Sequence, residues 1–319
     1  MKYGVLGLGS IGTRHAQNLV NGGQSVIAFD PCEKRCQHFN KCGLTIVSSR
    51  ASVIEQCEAV IIASPNENHF GDLKACLAAS RHVFVEKPFT HLVQGVAALL
   101  EDAAKEKLIV FAGFNLRYHP AVIGSRKMIL NGDLGDLHWA RVLASFYLPN
   151  WRPLDDYRLG YTANPKTGGV IFDVIHEIDL ANHLLGKPEV IAAVARNSGK
   201  LELTSDDVAD IILRHPEELI TSVHLDFITQ LDQRVTEISG AKGFLTIDLK
   251  GRRLELKNFD GKITFDQTYK TTWDDDYKDE ITAFISLVEG KSIPYCDGFE
   301  ALEIIKVAVK ARQMSGLPS

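Results

Sequence analysis

Five short apolar runs, most followed by a helix-patterned segment, fill residues 1 to about 115: YGVLGL before IGTRHAQNLV, SVIAFD before EKRCQHFNKC, AVIIAS before HFGDLKACLAAS, HVFVEK before LVQGVAALLEDAAKEK, and finally LIVFAGF. Parallel strands cannot be joined by a tight turn and need a crossover connection, usually a helix. The alternation therefore predicts a parallel sheet wrapped by helices.

Beyond Tyr118 the texture changes. A helix-like AVIGSRKMIL and a strand-like LHWARVLASFYLP lead into a loop dense in Pro, Trp, Tyr and Arg that runs to Thr167. From Val190 to about Phe265 the segments VIAAVAR, VADIILRH, LITSVHLDFI, RVTEISG, FLTIDL and RLELKN are separated by glycines and charged turns, which predicts one large, mostly antiparallel open sheet. Two helical stretches, DEITAFISLVEG and GFEALEIIKVAVKARQM, close the chain. A length of 319 residues fits about two domains. The expected fold is α/β, with a doubly wound parallel sheet over residues 1–118 and a second α/β domain over residues 119–319.

Composition excludes several function classes. Thirty-five basic against 40 acidic side chains leave a net charge of −5, with no basic run to track a phosphate backbone, so nucleic acid is not an expected partner. No segment approaches the roughly 18 uninterrupted apolar residues of a membrane span, and the opening MKYGVLGLGSIG reads as a first strand rather than a signal sequence. The six cysteines, Cys32, Cys36, Cys42, Cys57, Cys76 and Cys296, show no paired CxxC spacing, which fits a reduced, cytoplasmic chain without a cysteine-held metal.

Gly7-Leu8-Gly9-Ser10-Ile11-Gly12 lies where the first strand turns into the first helix. There Gly7 permits the tight turn, Gly9 lets backbone approach a pyrophosphate, and Gly12 lets the helix pack on the strand, so Gly7 to Gly12, Ser10 and Ile11 included, is a candidate dinucleotide cradle. Asp30 ends the second strand 18 residues after Gly12. A carboxylate there accepts from ribose hydroxyls and repels a 2′-phosphate, favouring NAD over NADP, with Arg35 near enough to soften that preference. The alternative is a turn carboxylate before Pro31. Ser64, Pro65 and Asn66 form a strand-end loop above which a dinucleotide would cross. His69 follows in the first turn of a helix, either near the cofactor or bonded to backbone.

In GGVIFDVIHEID, Gly168 to Asp179, the residues Asp173, His176 and Asp179 recur at intervals of three. A metal site, a proton-transfer site and the polar side of a helix are the competing readings. On a continuous helix the three side chains would fan over about 120°, which converges poorly on one ion and argues against metal. A histidine titrates near neutrality and suits general acid–base work. Just upstream, Trp151, Arg152, Tyr157 and Arg158 make an aromatic and basic loop. Its ring faces and forked donors suit a sugar carrying phosphate or carboxylate, or else an oligomer contact. Arg117 either clamps a sugar oxygen or anion or forms a salt bridge at the domain junction.

Three further segments carry a family resemblance: SPNENH (Ser64 to His69), VEKPFT (Val85 to Thr90) and GFNLRYHP (Gly113 to Pro120). With the GxGxxG they make the chain similar to the glucose-fructose oxidoreductase, inositol dehydrogenase and rhizopine catabolism family of NAD(P)-dependent sugar dehydrogenases, of which Glu86-Lys87-Pro88 is the most specific mark. The resemblance covers nearly the whole chain. It implies a Rossmann domain joined to an α/β domain whose open sheet forms the interface of a homodimer or homotetramer. It places Lys87 beside the nicotinamide and the substrate hydroxyl, and Glu86 along the nicotinamide end. The usual family pattern has Asp four residues before the histidine and another acid three after it; here Phe172 fills the first position, Asp173 is one step nearer, and Asp179 keeps its place. Either Asp173 rotates in from a locally altered turn to orient His176, or Asp179 supports His176 from the other side.

The expected activity is hydride transfer between NAD and a secondary hydroxyl, or keto group, of a sugar, sugar phosphate or nucleotide sugar, with Lys87, His176 and Asp173 as the proton-handling set. Arg117, Trp151, Arg152, Tyr157, Arg158 and Asp179 are the candidate substrate contacts, and no metal is expected. The competing class is a non-catalytic NAD-responsive sugar-binding or regulatory protein, which would need the glycines and Asp30 but neither Lys87 nor His176.

Overall fold

The computed structural model describes residues 1–39, 44–151 and 156–318. Two compact units emerge, one made of Met1–Asn115 with Asp274–Ile305, the other of Leu116–Trp273 with Lys306–Ser319.

The first unit is built on β1 (Lys2–Leu6), α1 (Ser10–Asn21), β2 (Ser25–Phe29), α2 (Glu33–Phe39), β3 (Thr45–Ile46), α3 (Arg50–Gln56), β4 (Ala59–Ile62), α4 (Asn66–Ala78), β5 (His82–Glu86), α5 (Val96–Lys105) and β6 (Val110–Gly113). All pairings are parallel, in the order β3-β2-β1-β4-β5-β6. This is the doubly wound order whose reversal, between β1 and β4, opens a crevice at the strands' carboxyl ends. The apolar runs follow from position: all four residues of β4 are buried, as a strand covered by helices on both faces requires.

The second unit begins with a 3-10 turn, Asn115–Tyr118, and α6 (Pro120–Leu130), then continues through β7 (Leu137–Tyr147), α7 (Leu148–Trp151), α8 (Val170–Asp173), α9 (His176–Leu185) and the strands β8 (Glu189–Arg196), β9 (Val208–Arg214), β10 (Ile220–Asp226), β11 (Ile228–Gly240), β12 (Gly243–Asp248), β13 (Arg253–Lys257) and β14 (Ile263–Thr268). The sheet order is β14-β13-β12-β11-β7-β10-β9-β8. Only β7 and β10 pair in parallel; the rest is antiparallel, as the sequence predicts. One face is core: Ala140, Ile238, Leu245 and Leu254 pack with Val122 of α6 and Leu180 of α9. The other face is open, with Trp139 at 42 % exposure beside the cross-strand pair Arg141–Glu237 at 2.6 Å. Period-two alternation along β7 produces this split.

The closing helices are α10 (Trp273–Val288) and α11 (Gly298–Met314). The sequence reading assigned everything after residue 118 to the second domain; instead Asp274–Ile305 returns to the first unit. The cause is aromatic packing. Phe284 of α10 sits edge-on to Tyr3, Phe84 and Phe111, with centroids 6.3, 5.6 and 5.7 Å away. No helix among the described residues is long and apolar enough to cross a membrane.

Candidate active site

At the crevice of the first unit, Gly7 turns with φ +93° and donates its amide to the Phe29 carbonyl at 2.9 Å. A Cβ on Gly12 would run into the Gly7 carbonyl, and one on Gly7 into the Ala63 carbonyl, so both positions require glycine. Gly9, capping α1, has open space where a side chain would stand. Ser10 is exposed and Ile11 partly so. These features fit a pyrophosphate: a clear backbone approach, and the free amides of a 12-residue helix whose first turn carries no acid to compete.

Asp30 is 5 % exposed and accepts from the Leu8 amide (2.7 Å), the Cys32 amide (2.8 Å) and Arg35 Nη1 (3.4 Å). It ties the glycine loop to β2 while its remaining lone pairs stay available to a ribose hydroxyl. Arg35 is held by the carboxylate it was expected to offset.

The strand-end loops differ in part from expectation. Ser64 donates to Asp72 Oδ2 at 2.7 Å, Pro65 caps α4, and Asn66 is buried as its first residue. Burial raises the Asp72 carboxyl, against the opposing pull of Ser64 and Arg50. His69 is 1 % exposed with its ring nitrogens 2.9 Å from the Pro88 carbonyl and 2.8 Å from that of Ser64. Burial lowers its pKa. These contacts make it a strut joining the turn after β4 to the turn after β5. Glu86 is likewise engaged: Oε1 meets His15 Nε2 at 2.5 Å and Oε2 accepts the Lys87 amide at 3.0 Å. Lys87, half-buried, precedes Pro88 across a cis bond.

His15 is a residue the sequence reading passed over. It is fully buried on α1, edge-on to Phe84, and with Glu86 and Glu280 it brings three ligand-type atoms within 4.8 Å of one another. At 2.5 Å the His15–Glu86 contact is a hydrogen bond. It fastens the glycine-loop helix to the backbone of Lys87. The signal was its position, three residues after Gly12 on the helix face toward the sheet.

In the second unit GGVIFDVIHEID is not one helix. α8 ends at Asp173, Val174 (φ −103°, ψ 33°) breaks the path, and α9 starts at His176 with Ile175 as its cap. The continuous-helix geometry that weighed against metal does not apply; the altered turn does exist. Asp173 accepts from the Tyr161 hydroxyl and, at 2.6 Å, from Thr162 Oγ1. Asp179 is claimed by Arg117, whose Nη2 and Nε lie 2.5 and 3.0 Å from Oδ1. Both are buried within this unit as a salt bridge. Glu177, fully buried, accepts from Arg234 Nε at 2.6 Å and Nη2 at 3.2 Å. His176 itself is 8 % exposed.

The pair of glycines before α8 has a local cause. A Cβ on Gly169 (φ +87°) would strike the Asp206 carboxylate, which accepts the Ile171 amide at 3.1 Å and Arg312 Nη1 at 2.6 Å.

Among the loop candidates, Arg158 is exposed and pairs with Asp156 (2.7 Å) and Glu202 (2.7 Å). Tyr157 is partly exposed on a 3-10 turn. Trp151 packs tilted against Phe146 (centroids 5.1 Å) and edge-on to Phe227 (5.7 Å). Arg152 lies outside the described residues. The described cysteines, Cys32, Cys36, Cys57, Cys76 and Cys296, are unbridged.

Comparison with known proteins adds the lineage. Residues 1–114 match the model of an oxidoreductase family with an NAD-binding Rossmann fold, and residues 124–246 match the GFO/IDH/MocA C-terminal domain. The chain is similar to the myo-inositol 2-dehydrogenase of Thermotoga maritima, 28 % identical across 93 % of this chain and 91 % of that protein. It is also similar to the inositol 2-dehydrogenase of Rhizobium meliloti, 25 % identical across 98 % and 96 %. Among solved structures, levoglucosan dehydrogenase in complex with NADH and levoglucosan superposes with a TM-score of 0.87 at 17 % identity, covering 99 % of this chain and 97 % of that one. With both of its domains matched in order, the chain belongs to the GFO/IDH/MocA family of oxidoreductases with an NAD-binding Rossmann fold.

Proposed function

We propose that this NAD-dependent oxidoreductase acts on a secondary hydroxyl of a sugar or cyclitol, or in reverse on the matching keto group, with Lys87 and His176 in proton transfer. The observation that carries the reading is the direct chain of contacts from the dinucleotide helix to Lys87, through His15 and Glu86. The curated relatives, named as inositol dehydrogenases along nearly their whole length, support the substrate class.

Bound NAD would supply the hydride acceptor, with Asp30, Gly9 and the α1 amides holding it. Lys87 presents a cation that favours alkoxide character on the substrate oxygen. His176 takes the hydroxyl proton on oxidation and returns it on reduction. Asp173 keeps the turn before His176 in place through Tyr161 and Thr162. Assembly follows through the open face of the eight-stranded sheet as a homodimer or homotetramer, supported by exposed Trp139, Val194 and Ile220 among charged pairs on that face. The reduced cysteines accord with the cytoplasm.

Lys87→Met and His176→Asn should each lower kcat with an inositol or sugar substrate at least ~100-fold while NAD affinity, read by calorimetry, changes less than about threefold. Normal turnover in either variant would remove that residue from the chemistry.

A further inference from the structure

Two buried histidines, on two different helices of the first unit, close on the Glu86-Lys87-Pro88 turn. His15 stands on α1, the helix that begins at the glycine loop, and His69 on α4, the helix that begins at the loop after β4. Their exposures are 0 and 1 %. A buried imidazole is costly unless its polar atoms are used, and each of these rings spends a nitrogen on a group that flanks Lys87.

On the amino side, His15 Nε2 donates to Glu86 Oε1 at 2.5 Å, and Glu86 Oε2 accepts the Lys87 amide at 3.0 Å. With both of its oxygens engaged the carboxylate is not free to turn, so the peptide plane entering Lys87 takes its direction from α1. The His15 ring is itself fixed edge-on to Phe84 (4.9 Å) and Tyr277 (5.9 Å). On the carboxyl side, His69 Nδ1 lies 2.9 Å from the Pro88 carbonyl and Nε2 lies 2.8 Å from that of Ser64. A carbonyl only accepts, so a ring with one N–H serves one of these oxygens, and serving both takes a second proton. Burial opposes that proton, while the two carbonyls and the carboxylates of Glu86 and Asp72 favour it. Both supports of the lysine thus run back to helices that start at the loops facing the dinucleotide crevice.

We propose that His15 and His69 are positioning residues for Lys87, His15 acting through Nε2 and the Glu86 carboxylate, His69 through Nδ1 and the Pro88 carbonyl. The role of Lys87 rests on the dehydrogenase reading above; the two histidines are the parts that hold it. A side chain that only filled space would be indifferent to which of its nitrogens is kept. A positioning residue is not.

Asparagine and glutamine separate the two nitrogens. An asparagine amide stands close to where Nδ1 was and a glutamine amide close to where Nε2 was, so the same two replacements should rank in opposite order at the two positions. With NAD saturating and an inositol or sugar substrate, His15→Gln should turn over ~10-fold faster than His15→Asn, and His69→Asn ~10-fold faster than His69→Gln, the worth of one buried hydrogen bond. The backbone amide signal of Lys87, read by NMR in nitrogen-15 lysine-labelled protein, should follow the same crossed order, staying nearer its wild-type position in the faster member of each pair. Any other order, equal values within each pair, or unfolding of all four variants would overturn the proposal and make the histidines packing groups. Crossed amide signals in a chain that forms no NADH from any inositol or sugar would instead break the dehydrogenase reading and leave the two supports of Lys87 standing.

Discussion

The six-stranded sheet buries its strands on both faces and ends them in turns that present backbone groups, the Gly7 and Leu8 amides, the carbonyls of Ser64 and Pro88 and the free end of α1, fastened by the side chains of Asp30, His69 and the His15–Glu86 pair. The eight-stranded sheet leaves one face open, and its unit holds arginines locked onto buried carboxylates: Arg117–Asp179, Arg234–Glu177, Arg312–Asp206. A backbone-built site depends on small residues at fixed places and tolerates change elsewhere. A site built from buried ion pairs depends on every partner, because removing one member leaves an uncompensated charge.

The sharpest way to break the comparison is at Arg312. Its guanidinium and Asp206 are both fully buried, and it also bonds the carbonyls of Gly168 (3.1 Å) and Pro165 (2.6 Å) while lying 4.8 Å over the Phe172 ring. Arg312→Met should cost about 3–5 kcal/mol, read as a fall in the urea midpoint, because Asp206 then stands alone where burial already raises its pKa. A loss under about 1 kcal/mol would mean the second unit does not rely on its buried pairs.

The contrasting test is Gly12→Ala. The new methyl has no room beside the Gly7 carbonyl, so the loop must shift. NAD affinity should fall at least ~10-fold, about 1.4 kcal/mol, with a smaller effect on the urea midpoint than Arg312→Met. Unchanged affinity would show that the cradle does not depend on close approach of α1 to the loop.

The same contrast explains what could be read in advance. The parallel sheet and the glycine turn were legible because strand rhythm and glycine placement are local signals. The strands of the second sheet were legible by alternation as far as β13. What could not be read were pairings between distant residues: Asp179 with Arg117, 62 positions away, Glu86 with His15, 71 away, and Asp206 with Arg312, 106 away. A carboxylate near a candidate histidine looks like its partner until a remote arginine is shown to hold it. The return of α10 to the first unit was hidden similarly, since Phe284 carries no mark of which core it joins.

A smaller effect sharpens the comparison through pH. His119 is fully buried in the second unit, with Nδ1 accepting the Ala121 amide at 3.2 Å and Nε2 placed to donate to the Leu249 carbonyl at 3.2 Å. These bonds select the neutral ring. Burial first, then the cations of Arg252 and Arg234, push its pKa down to about 3. In the unfolded chain it titrates near 6.5, so below that pH the unfolded state takes up a proton that the folded state refuses, and stability falls from pH 6.5 toward 3. His183, also lowered to about 3, acts in the same direction. His224, raised to about 9 by its bonds to Asp226 and Asp210, acts oppositely, its contribution being complete below 6.5 and lost as pH climbs to 9. The informative quantity is thus the difference between wild type and His119→Gln, which keeps an acceptor and a donor but does not titrate. On going from pH 7.5 to 5.5 the wild type should lose about 1 kcal/mol more than the variant, measured by urea unfolding. Parallel curves for the two proteins would place the acid sensitivity of the second unit elsewhere than in this buried ring.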